Sequence, residues 1–286
     1  MSAVTEVRPS PIAGTWYAAQ PKKLAQQVDE YLQQASLPKL PGEVLALLAP
    51  HAGHRYSGPV AGYAFAALKN SAPEVVAILG PMHAFYPQPF LTSAHAAYGT
   101  PLGEIQINRP LVNLLDRKLK ERLGEGLTQA VNDPEHSLEI ELPFLQRALQ
   151  STFTLLPVML RVQTPENART LGEALAETLA GQKAVLVASS DLSHFHTQAV
   201  ASRLDAAMLA QVAAFSPEGL FAVEASGQGE ACGLGALAAV MWAAQALGAK
   251  SARVLKYTTS GEASGDFQRV VGYGAAVFCR EAEIKG

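Results

Sequence analysis

Residues 184–194, AVLVASSDLSH, decide the fold: an unbroken apolar run, then Ser189-Ser190-Asp191, and a histidine just beyond. A continuous apolar run bounded by turn residues fits a strand buried on both faces better than the alternation of a half-exposed sheet. The same signature recurs at 44–49 (VLALLA), 75–79 (VVAIL) and 153–160 (FTLLPVML). Helical stretches fall between and around these runs, at 22–35, 58–69, 109–120, 135–150, 165–180, 199–214 and 232–247. Residues 89–107 read as extended strand and turn, and 252–258 and 270–278 as two more strands around the loop SGEASGD. This alternation predicts an α/β fold, a central, largely parallel or mixed sheet with helices on both faces. No repeat, low-complexity tract or linker interrupts it, so residues 1–286 read as one domain.

Composition narrows the function classes. Of the 286 residues, 49% are apolar and only 16% charged, well under the ~25% of an average globular protein. With 23 Gly and 18 Pro this describes a compact fold and excludes general disorder. A net charge of −3 leaves no basic excess for nucleic acid or an anionic membrane. Two cysteines, Cys232 and Cys279, cannot build a disulfide framework or a four-cysteine zinc site. The opening MSAVTEVRPSP has an acid and prolines where a signal peptide needs an apolar run, so the expected compartment is the reducing cytoplasm. Residues 232–249 are uncharged but only marginally long enough to cross a bilayer, and are expected to form a buried helix.

The histidines carry the chemistry. Three apolar runs each deliver one: VLALLAP ends at His51, VVAILGPM at His83, and AVLVASSDLS at His194. Ligands of open α/β sheets bind outside the carboxyl ends of the strands, so these side chains are expected to share one pocket. Any one of them alone reads as a loop histidine bonded to backbone. Three together, beside Pro50, Gly53 and Asp191, point to a metal or acid–base site. Asp191 either orients a ligand histidine or caps a turn. Residues 132–139, NDPEHSLE, predict a helix start with Asp133 as N-cap, Pro134 at the first position and Glu135 in the first turn. That start would put His136 and Glu139 on one face, either as a plain polar turn or reaching the pocket. Neither zinc-protease helix pattern is present. GLGALA at 233–238 formally matches a dinucleotide fingerprint but follows no strand, and reads as helix packing. Cys232, at an apparent helix start, is either a thiolate near the site or a small buried residue.

These segments carry a resemblance. VRPSPIAGTWY, APHAG followed by Tyr56-Ser57-Gly58, LGPMH (79–83), YGTPLGEI (98–105), DPEHSLEIELPF (133–144), SSDLSH (189–194) and ACG (231–233) resemble the Memo family nearly end to end. That family comprises the mediator of cell motility proteins and their microbial relatives, called AmmeMemoRadiSam system protein B. The resemblance implies a fold similar to class III extradiol ring-cleavage dioxygenases, which hold non-haem Fe(II) on two histidines and a carboxylate. By motif, His51 and His83 resemble the metal histidines and His194 the acid–base histidine, with Asp191 beside it. Cys232 stands where the family has a cysteine facing the pocket, and would offer a thiolate in place of the carboxylate. Asp191 or Glu230 is the alternative third ligand. His54, where some relatives carry tyrosine, is a further imidazole nearby. The implied cofactor is Fe(II), with copper or zinc as alternatives, and the implied partners are a small-molecule substrate and a functionally linked radical-SAM protein. The implied activity is that of a metal-dependent redox enzyme. The alternative is a metal-binding or interaction scaffold that keeps the fold without the reaction.

Overall fold

The computed structural model describes residues 5–281; the first four and last five residues of the expected 1–286 domain lie outside the described residues. Its strands, in chain order, are β1 (Val7–Arg8), β2 (Gly42–Ala49), β3 (Val75–Pro81), β4 (Phe90–Ser93), β5 (Ala97–Thr100) and β6 (Gly103–Gln106). They continue with β7 (Thr128–Ala130), β8 (Thr154–Leu160), β9 (Ala184–Ser189), β10 (His194–His196), β11 (Ser251–Thr259) and β12 (Val270–Glu281). The large sheet runs in the order β10-β12-β2-β9-β3-β8-β4-β7, with β11 on the other side of β12. Its centre, β2-β9-β3-β8, is wholly parallel. β12 joins β2 antiparallel, and β4 joins β8 antiparallel, so the sheet is mixed toward its flanks. β1, β5 and β6 form a separate three-stranded sheet.

The four apolar runs read from the sequence are these four central strands, because only a layer covered on both faces leaves no polar position along them. The helices His54–Ala66, Pro21–Gln34 and Leu142–Ala148 cover one face; Leu234–Ala246 lies on the other, backed by Pro165–Leu179. Leu234–Ala246 is buried along almost its whole length. A Cβ on Gly172 would sit 2.6 Å from the Ala239 carbonyl oxygen, so the two outer helices pack backbone to backbone. No helix among the described residues is long and apolar enough to cross a membrane.

Two helix boundaries depart from expectation. The helix predicted at 58–69 starts at His54, because the His54 amide donates to the Trp16 carbonyl and Gly53 takes the cap position. Pro59 is tolerated inside it. More consequential is 133–138, which is irregular rather than helical; a 3-10 turn at Glu139–Glu141 precedes the helix Leu142–Ala148. Asp133 does not cap a helix. Its carboxylate takes the Glu135 amide and the Arg8 guanidinium. Local cap chemistry at this position loses to a buried ion pair contributed by a residue 125 positions away. His136 and Glu139 therefore do not share a helix face. A helix at Pro217–Ala225 and a short one at Gly261–Ser264 also form where none was expected.

Candidate metal centre

The carboxyl ends of the parallel strands build the site. His51 follows β2, and His83 follows β3. The chain leaving β9 crosses the end of β2, where the Ser190 amide donates to Ala49, and then meets β12 through Leu192 and Ser193. β12 thus holds β10 beyond the carboxyl end of β2, with His194 opposite Val271.

One ring nitrogen from each of His51, His83 and His136 lies within 4.8 Å of the others. His83 and His136 stack 4.7 Å apart at 13°, and both rings stand edge-on to His51, each 5.4 Å away. Trp16 packs 4.1 Å from His136 on the outside. His51 is buried, whereas the His83 side chain is 41% exposed, so the cluster opens to solvent on that side.

The hydrogen bonds fix which nitrogen of each ring is free. The Ser189 hydroxyl donates its one proton to the Ser137 carbonyl oxygen at 2.6 Å. It must then accept from His51 Nδ1 at 2.9 Å, leaving His51 Nε2 with its lone pair. Glu141 Oε1 lies 2.9 Å from the same hydroxyl. Burial pushes the Glu141 carboxyl well above the ordinary carboxylate range, opposed by the Ser189 bond and helped by Asp191, so as a neutral acid it can donate too. His83 Nδ1 donates to Glu135, 2.9 Å from Oε1, again leaving Nε2 free. Glu135 also accepts the amides of His83, His136 and Ser137. Burial works against its charge, but the His83 bond and the nearby imidazoles outweigh that and hold its pKa well below normal.

Crowding at the site lowers imidazole basicity. His51 falls well below its ordinary value through burial first, then the charges of His136 and His83. Burial lowers His136 to about 4. Neutral imidazoles are the form that binds metals. His194 is likewise lowered, mainly by burial, and lies near enough for its charge to act on His51 and for His83's to act on it.

Cys232 reaches His51 from the turn before the helix Leu234–Ala246. Its sulfur is 3.1 Å from His51 Nε2 and accepts the Asp191 amide at 3.3 Å. A Cβ on Gly233 would sit 2.5 Å from the Ser189 carbonyl oxygen, so only glycine lets Cys232 come this close to the end of β9. Burial pushes the thiol up, with Asp191 adding to it. Cys232 is not part of the trio. Asp191 itself is buried, accepts the His51 amide at 2.7 Å, and is raised by that burial to about 7.

The remaining expected residues lie apart. Glu139 faces away from the histidines, bonded to Arg8 at 2.6 Å, to Tyr17 at 2.6 Å and to Ser10. His54 is buried behind the site with Nε2 donating to the Ile140 carbonyl oxygen. His95 binds backbone, and His196 pairs with Glu230. The sequence reading passed over Ser189, Glu135, Glu141 and Arg8. The signal for Glu141 was present: LEIELPF (138–144) buries carboxylates inside an apolar run, which requires partners.

The donor set suits a transition metal. Two imidazoles with free Nε2 atoms, a third beside them and an adjacent thiol are nitrogen and sulfur donors, matched to iron, copper or zinc rather than magnesium or calcium.

A family model described as Memo-like protein matches residues 8–277. A MEMO1 family protein of Methanopyrus kandleri is 35% identical over 280 residues, covering 94% of this chain and 98% of that protein. MEMO1 family proteins of Nitrosopumilus maritimus and Pyrobaculum aerophilum are each 32% identical, covering 95% and 96% of this chain and 99% of theirs. The chain belongs to the Memo family.

Proposed function

We propose that this protein is a non-haem metalloenzyme of the cytoplasm that acts on a small molecule. His51 and His83 hold the ion, Fe(II) before copper or zinc, and His136 and Cys232 are the neighbouring donors. The observation that supports it most is the pair of fixed tautomers: Ser189 and Glu135 hold the Nδ1 atoms, turning both Nε2 lone pairs free. Outer hydrogen bonds of this kind are what orients metal-binding imidazoles. A bound ion would supply Lewis acidity and, as iron or copper, a one-electron couple.

The chain's own groups do the rest. Asp191 holds the His51 backbone amide and so fixes the end of β2. His194, partly exposed at the pocket edge, moves a proton at its ring. The partly exposed His83 side leaves room for a small molecule to enter.

The nearby carboxylates Glu135 and Asp191 are both committed to backbone amides, which favours a second reading, a metal-binding scaffold without ring-cleavage activity. Metal analysis and oxygen uptake on anaerobically purified protein separate the two. The enzyme reading expects stoichiometric iron, oxygen uptake with small phenols, and loss of uptake in His194→Ala at unchanged iron content; an acid–base group contributes about 10²–10⁴-fold. Stoichiometric iron without uptake leaves the scaffold, and absence of bound metal refutes both.

A further inference from the structure

The exposed large apolar side chains are concentrated on one edge. Among the described residues they are Tyr56, Phe85, Val131, Val162, Phe195 and Phe267. Tyr56 lies in the first turn of the helix His54–Ala66 that follows β2, Phe85 follows β3, Val162 follows β8, Phe195 lies in β10, and Phe267 precedes β12. β12 is antiparallel to β2, so its beginning shares the edge where β2, β3 and β8 end. Five of the six therefore sit on the edge that carries the histidines.

Three of these rings carry an arginine: Arg55 over Tyr56 at 5.7 Å, Arg161 over Phe85 at 5.9 Å, and Arg269 over Phe195 at 5.4 Å. Five arginines elsewhere, Arg8, Arg122, Arg147, Arg169 and Arg280, are engaged with carboxylates, and Arg109 and Arg253 bond to backbone carbonyl oxygens. Among the described residues none of the three rim arginines has such a partner, and Arg161 Nε is buried with no acceptor. Glu230 on the same edge is taken by His196. Glu166 and Glu262 are exposed there and join no arginine among the described residues. Phe195 holds φ at 63°, a region side-chain-bearing residues seldom occupy, and stands 62% exposed with its ring 5.6 Å from that of His194.

A guanidinium stacked on a ring keeps its N–H edge free in the plane, the geometry that takes a carboxylate or phosphate in two bonds. A second copy of this chain would bring the same arginines against one another, so the occupant is a ligand of opposite charge. We propose that the site takes an anionic substrate with a flat apolar body, whose reacting end reaches the histidines while Arg161 and Arg269, with Arg55, hold its charge at the rim. This rests on reading the histidine pocket as the reaction site.

The test compares 4-hydroxycinnamate with its neutral amide, 4-hydroxycinnamamide, by titration calorimetry on the metal-loaded protein. The acid is expected to bind at least about tenfold tighter, as hydrogen bonds to a charged group imply. In the double variant Arg161→Met, Arg269→Met that preference falls to near one while affinity for the amide and metal content stay. Arg269 is exposed and can be changed alone, Arg269→Met, with at least about a threefold loss of preference. Equal affinities in the parent, no measurable binding of the acid, or an undiminished preference in the variants overturns the proposal. Metal content read on the same samples keeps the two claims apart: a preference that persists in protein unable to retain metal refutes only the metal reading.

Discussion

The sulfur of Cys232 lies 3.1 Å from Nε2 of His51, the ring nitrogen left free by the bond from Nδ1 to Ser189. The thiol stands where it can donate to that lone pair, and burial pushes the thiol up. A metal must displace this proton before the sulfur can bind it. Cys232→Ser should therefore weaken Fe(II) and Cu(II) binding and abolish the visible charge-transfer band that a thiolate gives with Fe(III) or Cu(II). An unchanged spectrum and affinity would leave imidazoles as the only donors.

Glu135 links the His83 ring to three backbone amides. Glu135→Gln removes the charge that fixes the ring's tautomer. Metal affinity should drop about 10–100-fold, the usual cost of losing an outer-shell partner. Competition against a chelator measures it, and parent-like affinity would show that His83 needs no such anchor.

Arg8 is 1% exposed and binds Asp133 and Glu139 together with the carbonyl oxygens of Asp133 and Glu135. It clamps the irregular segment that carries Glu135 and His136. Arg8→Met leaves two buried carboxylates without a counter-charge and should cost about 3–5 kcal/mol in denaturant unfolding. Adding Asp133→Asn and Glu139→Gln should recover part of that loss. A single variant within about 1 kcal/mol of the parent would mean the cluster relaxes without the clamp.

His54 is buried, its Nδ1 has no partner among the described residues, and burial lowers its pKa from 6.5 to about 4. The fold thus favours the neutral ring. Its contribution is complete above the unfolded value and is lost as pH falls from 6.5 toward 4. That shift corresponds to on the order of 3 kcal/mol. His54→Gln keeps a donor for the Ile140 carbonyl without the titration, so unfolding free energy of the metal-free variant should fall less steeply across this window. Parallel pH profiles would contradict it.

The parallel core was legible because each central strand is an unbroken apolar run, and the pocket edge because such runs end in histidines. The residues behind the first ring of donors were not legible. Ser189 sits within the strand run, and nothing local distinguishes a serine that holds a histidine from one that ends a strand. At Asp133 the local pattern misled: Asp-Pro-Glu is a helix start by propensity, but Arg8 arrives from the other end of the sequence and holds the segment irregular. Without the helix, His136 reaches the cluster and Glu139, three positions on, turns to Arg8 and Tyr17 instead.

The central claim is that His51 and His83 form the indispensable metal-binding pair. Anaerobic Fe(II) titration against a chromogenic chelator tests it directly, with the parent, His51→Ala, His83→Ala and His136→Ala compared side by side. The account predicts stoichiometric binding by the parent, loss of it in either of the first two variants, and weakened binding in the third. Parent-like affinity in either His51→Ala or His83→Ala would contradict it.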